Sequence, residues 1–296
     1  MDYRGVRIED TFCECTDVFT ARILLTAISA HVAMAEAAHL CGFGIITAAP
    51  IQGCVEGAAS PEETPDHRPG ALIHLNAPVP VGFDAFRRAL LERLYIVPHL
   101  PTCSVFDASI GQAVETVDAA AYVGRWGDGF ETEDRVGSKD TMRIPIMTGD
   151  QQIERTFAIT VGTDGVLEVF GAGIAACMLG AENAARRILD DVDGVAVFNY
   201  PLGGISGAKV GGRRYTEEGV TINEPFCPSV RRAVETKIPA DAAAVIEFPL
   251  VAVDDAAIRA GLKAAVDAFA GTPGIVEITA PSFGGAWEDE QSISAL

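Results

Sequence analysis

The order in which apolar segments follow one another constrains this chain more than any single motif, because one succession of strand and helix patterns occurs twice. In the first half, a short strand over Val6–Ile8 precedes a helix expected at about 20–41, which Gly42 is placed to stop. An apolar strand Phe43–Ala49 ends at Pro50, and a polar loop covers 51–70. The strand Ala71–Leu75 then leads to a helix from Asp84 to Leu94. The second half supplies strands Phe157–Val161 and Val166–Phe170, a helix over 174–190 and a strand Val195–Tyr200. Beyond a glycine-rich loop (202–212) come the strand Ala243–Val251, a helix Asp255–Ala270 and the strand Gly274–Ala280. The halves share no sequence identity, so the echo is one of topology and not a tandem repeat.

Helices laid on one face of antiparallel sheets make an α+β fold, and the duplicated order predicts two ferredoxin-like lobes. A chain of 296 residues is long enough for two such cores. The turn residues Thr148-Gly149-Asp150 mark the expected boundary, with lobes at 1–150 and 151–296.

Charge narrows the partners. Lysine and arginine number 22 against 41 acidic residues, a formal charge of −19, and no basic block occurs, so neither nucleic acid nor an anionic membrane surface is an expected partner. The longest apolar stretch, 18–41, is broken by Arg22, His31, Glu36 and His39 and does not suit a bilayer. Met1-Asp2-Tyr3-Arg4 does not resemble a secretory leader, and a cytoplasmic location is expected. The seven cysteines are scattered and without a C-x-x-C pair, which reads as reduced, mostly buried thiols rather than a metal site.

Most familiar catalytic signatures are missing. Pro201–Gly212 is glycine-rich, but Lys209 does not stand in the register of a phosphate loop. The histidines at 31, 39, 67, 74 and 99 fall in different elements, and neither G-x-S-x-G nor H-E-x-x-H occurs. Glu247 is more informative, being the only charge between Asp241 and Asp254, inside a strand-like apolar run. If its face is covered, the carboxyl is desolvated and can stay protonated to hydrogen-bond a developing oxyanion. The other reading is an outward Glu on an edge strand, which Pro249 would also suit. Glu62, Glu63, Asp66 and Arg68 in the proline-rich loop 60–70 could bind a polar ligand or form a solvated turn. Asp128 in Trp126-Gly-Asp-Gly129 leaves the same two options.

A resemblance favours one reading of these segments. Ile8-Glu-Asp-Thr-Phe12, Thr26-Ala27, Gly42-Phe-Gly44, Pro61-Glu-Glu-Thr-Pro-Asp66 and Arg68-Pro-Gly70 occur in this order, followed by Pro101-Thr102 and Phe106-Asp107-Ala108. Gly127-Asp-Gly129, Ile144-Pro145, Gly203-Gly-Ile205, Lys209-Val-Gly211, Cys227-Pro228 and Phe283-Gly-Gly285 continue the series. Taken collinearly, they resemble the formylmethanofuran:tetrahydromethanopterin formyltransferase family from about residue 5 to 287.

The resemblance implies two ferredoxin-like lobes, assembly as a homotetramer built as a dimer of dimers, and a cleft at a subunit interface. It implies direct transfer of a formyl group from methanofuran to N5 of tetrahydromethanopterin, both acting as carrier substrates, with no metal or prosthetic group. Glu247 takes the place of the family's protonated, intermediate-stabilising Glu. Glu62, Asp66, Arg68, Phe106, Asp107, Asp128 and Lys209 are the implied substrate-binding residues. Since the carriers bear carboxylates or phosphate, Arg68 and Lys209 are the expected sources of local positive charge. A bacterial member would act beside the hydrolase subunits of a complex. The alternative class is a scaffold subunit that keeps a carrier-binding cleft without turnover.

Overall fold

The structure is a computed structural model that describes residues 1–42, 51–123, 128–207, 224–281 and 289–293. In chain order, the first elements are β1 (Asp2–Tyr3), β2 (Val6–Ile8), β3 (Phe12–Thr26), α1 (Ala30–Cys41), β4 (Gln52–Ala59) and β5 (Gly70–Pro78). Next come α2 (Phe83–Tyr95), β6 (Ser104–Asp107), β7 (Glu115–Asp118), α3 (Ala119–Val123), β8 (Thr132–Val136), β9 (Lys139–Ile146) and β10 (Gly149–Glu154). The chain continues through β11 (Thr156–Gly171), α4 (Ile174–Asp191), β12 (Val195–Val197), β13 (Ala244–Ala252), α5 (Asp255–Ala270), β14 (Ile275–Thr279) and β15 (Asp289–Ser292). Two compact units result: an N-lobe of residues 17–162, and a C-lobe of 1–16 together with 163–296. The strands β3 and β11 are each divided between the units, and the Met147-Thr148 turn joins β9 to β10 as a hairpin inside the N-lobe.

In the N-lobe the strand order is β4-β5-β3-β6-β10-β9-β8. The first four strands pair antiparallel, β6 pairs parallel with β10, and two hairpins finish the sheet. Helix α1 buries Ala33, Ala37, Leu40 and Cys41, the stripe that a 3.6-residue period demands, and Ser29 caps it by accepting from the Val32 N–H. Gly53 admits the end of this helix, since a Cβ there would come within 2.4 Å of the Cys41 backbone.

The expected helix at 20–41 is therefore half strand. In β3, Ile23, Leu24 and Leu25 are all buried, and such a run on a strand covered on both faces lacks the alternation that would reveal it. Part of the expected loop 51–70 is also strand: β4 is built from small residues and buried Gln52 and Glu56. The expected strand Phe43–Ala49 lies outside the described residues.

In the C-lobe the order is β1-β2-β14-β11-β13-β12, antiparallel throughout except where β2 joins β14. The strand β15 pairs with the start of β3, at Phe12–Cys15. Helices α4 and α5 cover one face: Leu167, Val169, Ile246, Phe248, Leu250 and Ile278 belong to one core with Ala181, Ile188, Leu262 and Phe269. The Phe248 and Phe269 rings meet edge to face at 5.3 Å, and Gly180 makes room, because a Cβ there would sit 2.6 Å from the Phe269 ring. Asp254 caps α5 by accepting from the Ala257 N–H at 2.8 Å. Among the described residues, no helix is long and apolar enough to cross a membrane.

These contacts differ in size in a measurable way. In urea unfolding, Phe248→Ala should cost about 3–5 kcal/mol through the cavity it leaves. Asp254→Ala should cost about 1 kcal/mol through the lost cap. Equal costs for the two would contradict this account of the core.

Candidate active site

Because β13 sends Ile246, Phe248 and Leu250 into the helix-covered core, alternation sends Glu247 to the opposite face. The strand lies between β11 and β12 and is not an edge, which removes the edge-strand reading of Glu247. Pro249 is tolerated because its missing N–H would point to the side where β12 has already ended at Val197.

The register places Glu168 of β11 directly opposite Glu247, with Thr279 of β14 on the other side of Glu168. Glu247 spends its backbone N–H and C=O on Ile205, at 2.9 Å each, on the side away from β11. Glu168 and Glu247 are consequently a non-hydrogen-bonded pair, the close kind, in which Cα atoms stand about 4.5 Å apart and side chains adjoin.

Glu168 is 5% exposed and Glu247 is half-buried. Burial pushes the Glu168 carboxyl up to about 7, helped by the charges of Glu247 and Glu9 and opposed by Lys237. Burial also raises Glu247 above the ordinary carboxylate range. The same face carries an apolar cluster of Phe170, Ile238 and Ala242 with Phe226, Val245 and Val276 against it. Lys237 lies over the Phe226 ring, 5.4 Å from its centroid. Thr279 Oγ1 donates to Glu9, and Arg7 ties Glu277 to Asp241 through contacts of 2.8 Å. A cleft of about 380 Å³ lined by Arg7, Glu9, Asp10 and Glu277 opens beside Glu9 and does not include the Glu168–Glu247 pair.

The other expected site residues lie in the N-lobe, except Lys209, which falls outside the described residues. Asp66 and Arg68 are brought together: Arg68 Nε donates to Asp66 at 2.8 Å, and its other nitrogens reach the Thr102 carbonyl at 2.6 Å and Thr26 Oγ1 at 3.0 Å. Glu62 is exposed. Phe106 is fully buried between Leu24 and Ala59, a core position behind Asp107. Asp107 accepts from Ser109 and the Ala158 N–H, while its carbonyl accepts from Lys139 at 2.7 Å. Asp128 is exposed and closes a turn by accepting from the Phe130 N–H.

Two buried acids stand outside the expected site residues. Glu168 carries the same signal as Glu247, one charge inside an apolar strand, Val166-Leu-Glu-Val-Phe170. In the N-lobe, buried Glu56 accepts from Arg22 at 2.6 and 2.7 Å, with His74 Nε2 at 2.8 Å. Burial would raise this carboxyl, but the bonds from Arg22 and His74 outweigh it and hold it at about 2. None of the seven cysteines is in a disulfide, and six of them are buried. Among the described residues, no cluster of His, Cys, Asp and Glu is arranged to hold a metal ion.

A carboxyl raised by burial weakens the folded state as it is forced to ionise, so the sign of the effect is fixed. Glu168, near 4.5 when unfolded and about 7 when folded, costs nothing at low pH and destabilises increasingly between those values. Glu168→Gln should therefore gain up to about 3 kcal/mol in urea unfolding above pH 7 and nothing at pH 4. A gain independent of pH would contradict the assignment.

Known proteins match along nearly the whole chain. A family model described as formylmethanofuran-tetrahydromethanopterin formyltransferase matches residues 1–146, and a second, described as "FTR, proximal lobe", matches 149–292. Among curated relatives, the formylmethanofuran–tetrahydromethanopterin formyltransferase of Methanosarcina mazei is 35% identical over 291 residues, covering 96% of each chain. That of Archaeoglobus fulgidus is 35% identical over 290 residues, also covering 96% of each. The solved formyltransferase from Methanosarcina barkeri superposes with a TM-score of 0.91 at 31% identity, covering 100% of this chain and 99% of that one. A chain of the formyltransferase/hydrolase complex from Methylorubrum extorquens, solved with methylofuran, gives 0.86 at 26% identity, covering 100% and 98%.

Proposed function

The chain belongs to the formylmethanofuran-tetrahydromethanopterin formyltransferase family, and from that premise we propose that it moves a formyl group from the amine of a methanofuran-type carrier to N5 of tetrahydromethanopterin. The observation that carries the reading is Glu247, a carboxyl raised by burial on an interior strand beside an apolar surface. In the reaction, N5 attacks the formyl carbon, a C–N bond forms, and the carbonyl oxygen becomes an oxyanion. Protonated Glu247 donates a hydrogen bond to that oxygen, whose charge it meets more strongly than it meets the neutral carbonyl. Collapse re-forms the C=O and breaks the bond to the methanofuran nitrogen, and the proton released by N5 ends on the departing amine. Holding two large carriers together supplies the orientation, so the side chains need do little more.

Polar contacts to the carriers are proposed at Glu62, Asp66, Arg68, Asp107, Asp128 and Lys209, with Phe106 supporting Asp107 from within the core. The strand orders β14-β11-β13-β12 and β4-β5-β3-β6, each threaded by two helices, support ferredoxin-like topology in both lobes. A homo-oligomeric, cytoplasmic enzyme is proposed. The relative found in a formyltransferase/hydrolase complex supports hydrolase subunits as further partners.

Purified protein should transfer formyl from formylmethanofuran to tetrahydromethanopterin, and Glu247→Ala, which removes the donor, should lower kcat by about 10²–10³-fold with KM little changed. Wild-type protein that binds a carrier without transferring formyl would establish a scaffold in place of an enzyme. Light scattering should report an oligomer at working salt, and a strict monomer would remove the interface-built cleft.

A further inference from the structure

We propose that Glu168 is a positioning residue for Glu247: the two carboxyls face each other across the close pair and hold one proton in common, so that Glu247 can present an O–H to the formyl oxygen. This rests on the role of Glu247 proposed above and goes beyond it, because it names what keeps that carboxyl protonated at neutral pH.

Three observations converge on the pair. The backbone bonds between Glu247 and Ile205 require the pair with Glu168 to be the close, non-hydrogen-bonded kind, and both side chains stand on the face away from the helices. Glu168 is 5% exposed, yet no described residue donates a hydrogen bond to its carboxyl. A carboxylate buried that deeply without a donor is costly, and a proton shared with the carboxyl opposite supplies one.

The groups facing Glu168 come from four segments. They are Glu247 on β13, Thr279 on β14, Glu9 after β2, and Lys237 in the stretch ahead of β13. Glu9 is occupied by the Thr279 hydroxyl, and Lys237 sits over Phe226. Around the pair, the charge of Glu9 offsets that of Lys237, which leaves two carboxyls with no net positive charge facing them and favours keeping a proton over losing it. In the resting pair, one carboxyl donates its O–H to the carboxylate opposite. As the oxyanion forms, the O–H of Glu247 turns to it, and when the C=O re-forms the O–H returns to Glu168. No net proton enters or leaves the pair during a turnover.

The test is the pH profile of kcat. Wild-type activity should fall on the alkaline side as the shared proton is lost. In Glu168→Gln, the charge that helps retain the proton is gone, and this limb should move down by about one pH unit or more, with activity at low pH retained. Glu168→Asp, which keeps the charge, should keep the wild-type limb. Infrared difference spectra read the same proton without turnover. The protonated carboxyl band should titrate lower in Glu168→Gln and in Glu247→Gln, because either substitution removes one of the two carboxyls that share the proton. A limb and band left in place by Glu168→Gln, or a loss of rate uniform across pH, overturns the proposal. If Glu247→Ala transfers formyl at the wild-type rate, the role of Glu247 itself fails. If it is inactive while Glu168→Gln leaves the limb in place, only the shared proton fails.

Discussion

Because side chains alternate along a strand, the pairing of β11 with β13 at Glu168 and Glu247 sets the core and the site in one stroke. Leu167, Val169, Ile246 and Phe248 go beneath α4 and α5, and the two carboxyls go to the far face. A slip of β13 by one residue would send Glu247 into an apolar core and turn Phe248 out of it, at a cost in desolvation and lost packing that no local rearrangement offsets. The register is therefore held by the same apolar burial that stabilises the lobe. Rigidity at the site comes from the core behind it, with Phe248 on Phe269 immediately next in sequence to Glu247.

The lobes treat buried acids in opposite ways, and the contrast clarifies what the C-lobe face is for. Glu56 in the N-lobe meets a guanidinium and an imidazole and stays ionised far below the usual range. Such a group is structural, because its charge is fully answered by Arg22 and His74. Glu168 meets another acid and an apolar cluster, and Lys237 offsets only part of the effect of burial. Stability alone favours the first arrangement. The second arrangement is destabilising, and it supplies the neutral-pH carboxylic acid that the role proposed for Glu247 requires.

How far the sequence could be read follows from what each element owes to its neighbours. Helix α5 is legible in full: Asp254 caps it, and Ile258, Leu262, Ala265 and Phe269 return at helical spacing. In β3 the same reasoning fails at Ile23-Leu-Leu25, because a strand buried on both sides carries no period. The segment Gln52–Ala59 escaped because Gln52 and Glu56 look like loop residues until the pairing with β5 and the ion pair with Arg22 bury them. Glu247 was visible as a lone charge in an apolar run, but whether it stood on an edge depended on β12 and Ile205, well upstream in the chain. Glu168 carried the same local mark, and its meaning depended wholly on register, which one sequence does not encode locally.

The N-lobe loop shows the same limit from the other side. Asp66 and Arg68 read as groups that could receive a ligand, yet Arg68 already joins the loop to Thr26 on β3 and to the Thr102 carbonyl. Thr102 holds a left-handed backbone with φ of 65°, unusual for a β-branched residue, and the bond from Arg68 to its carbonyl anchors that turn. An arginine committed in this way presents its remaining N–H edge in a fixed direction, whereas a solvated one would first have to be ordered. Contact with a carrier's acid group at Arg68 is thus compatible with a structural role, because the bonds that shape the loop are the ones that aim the guanidinium.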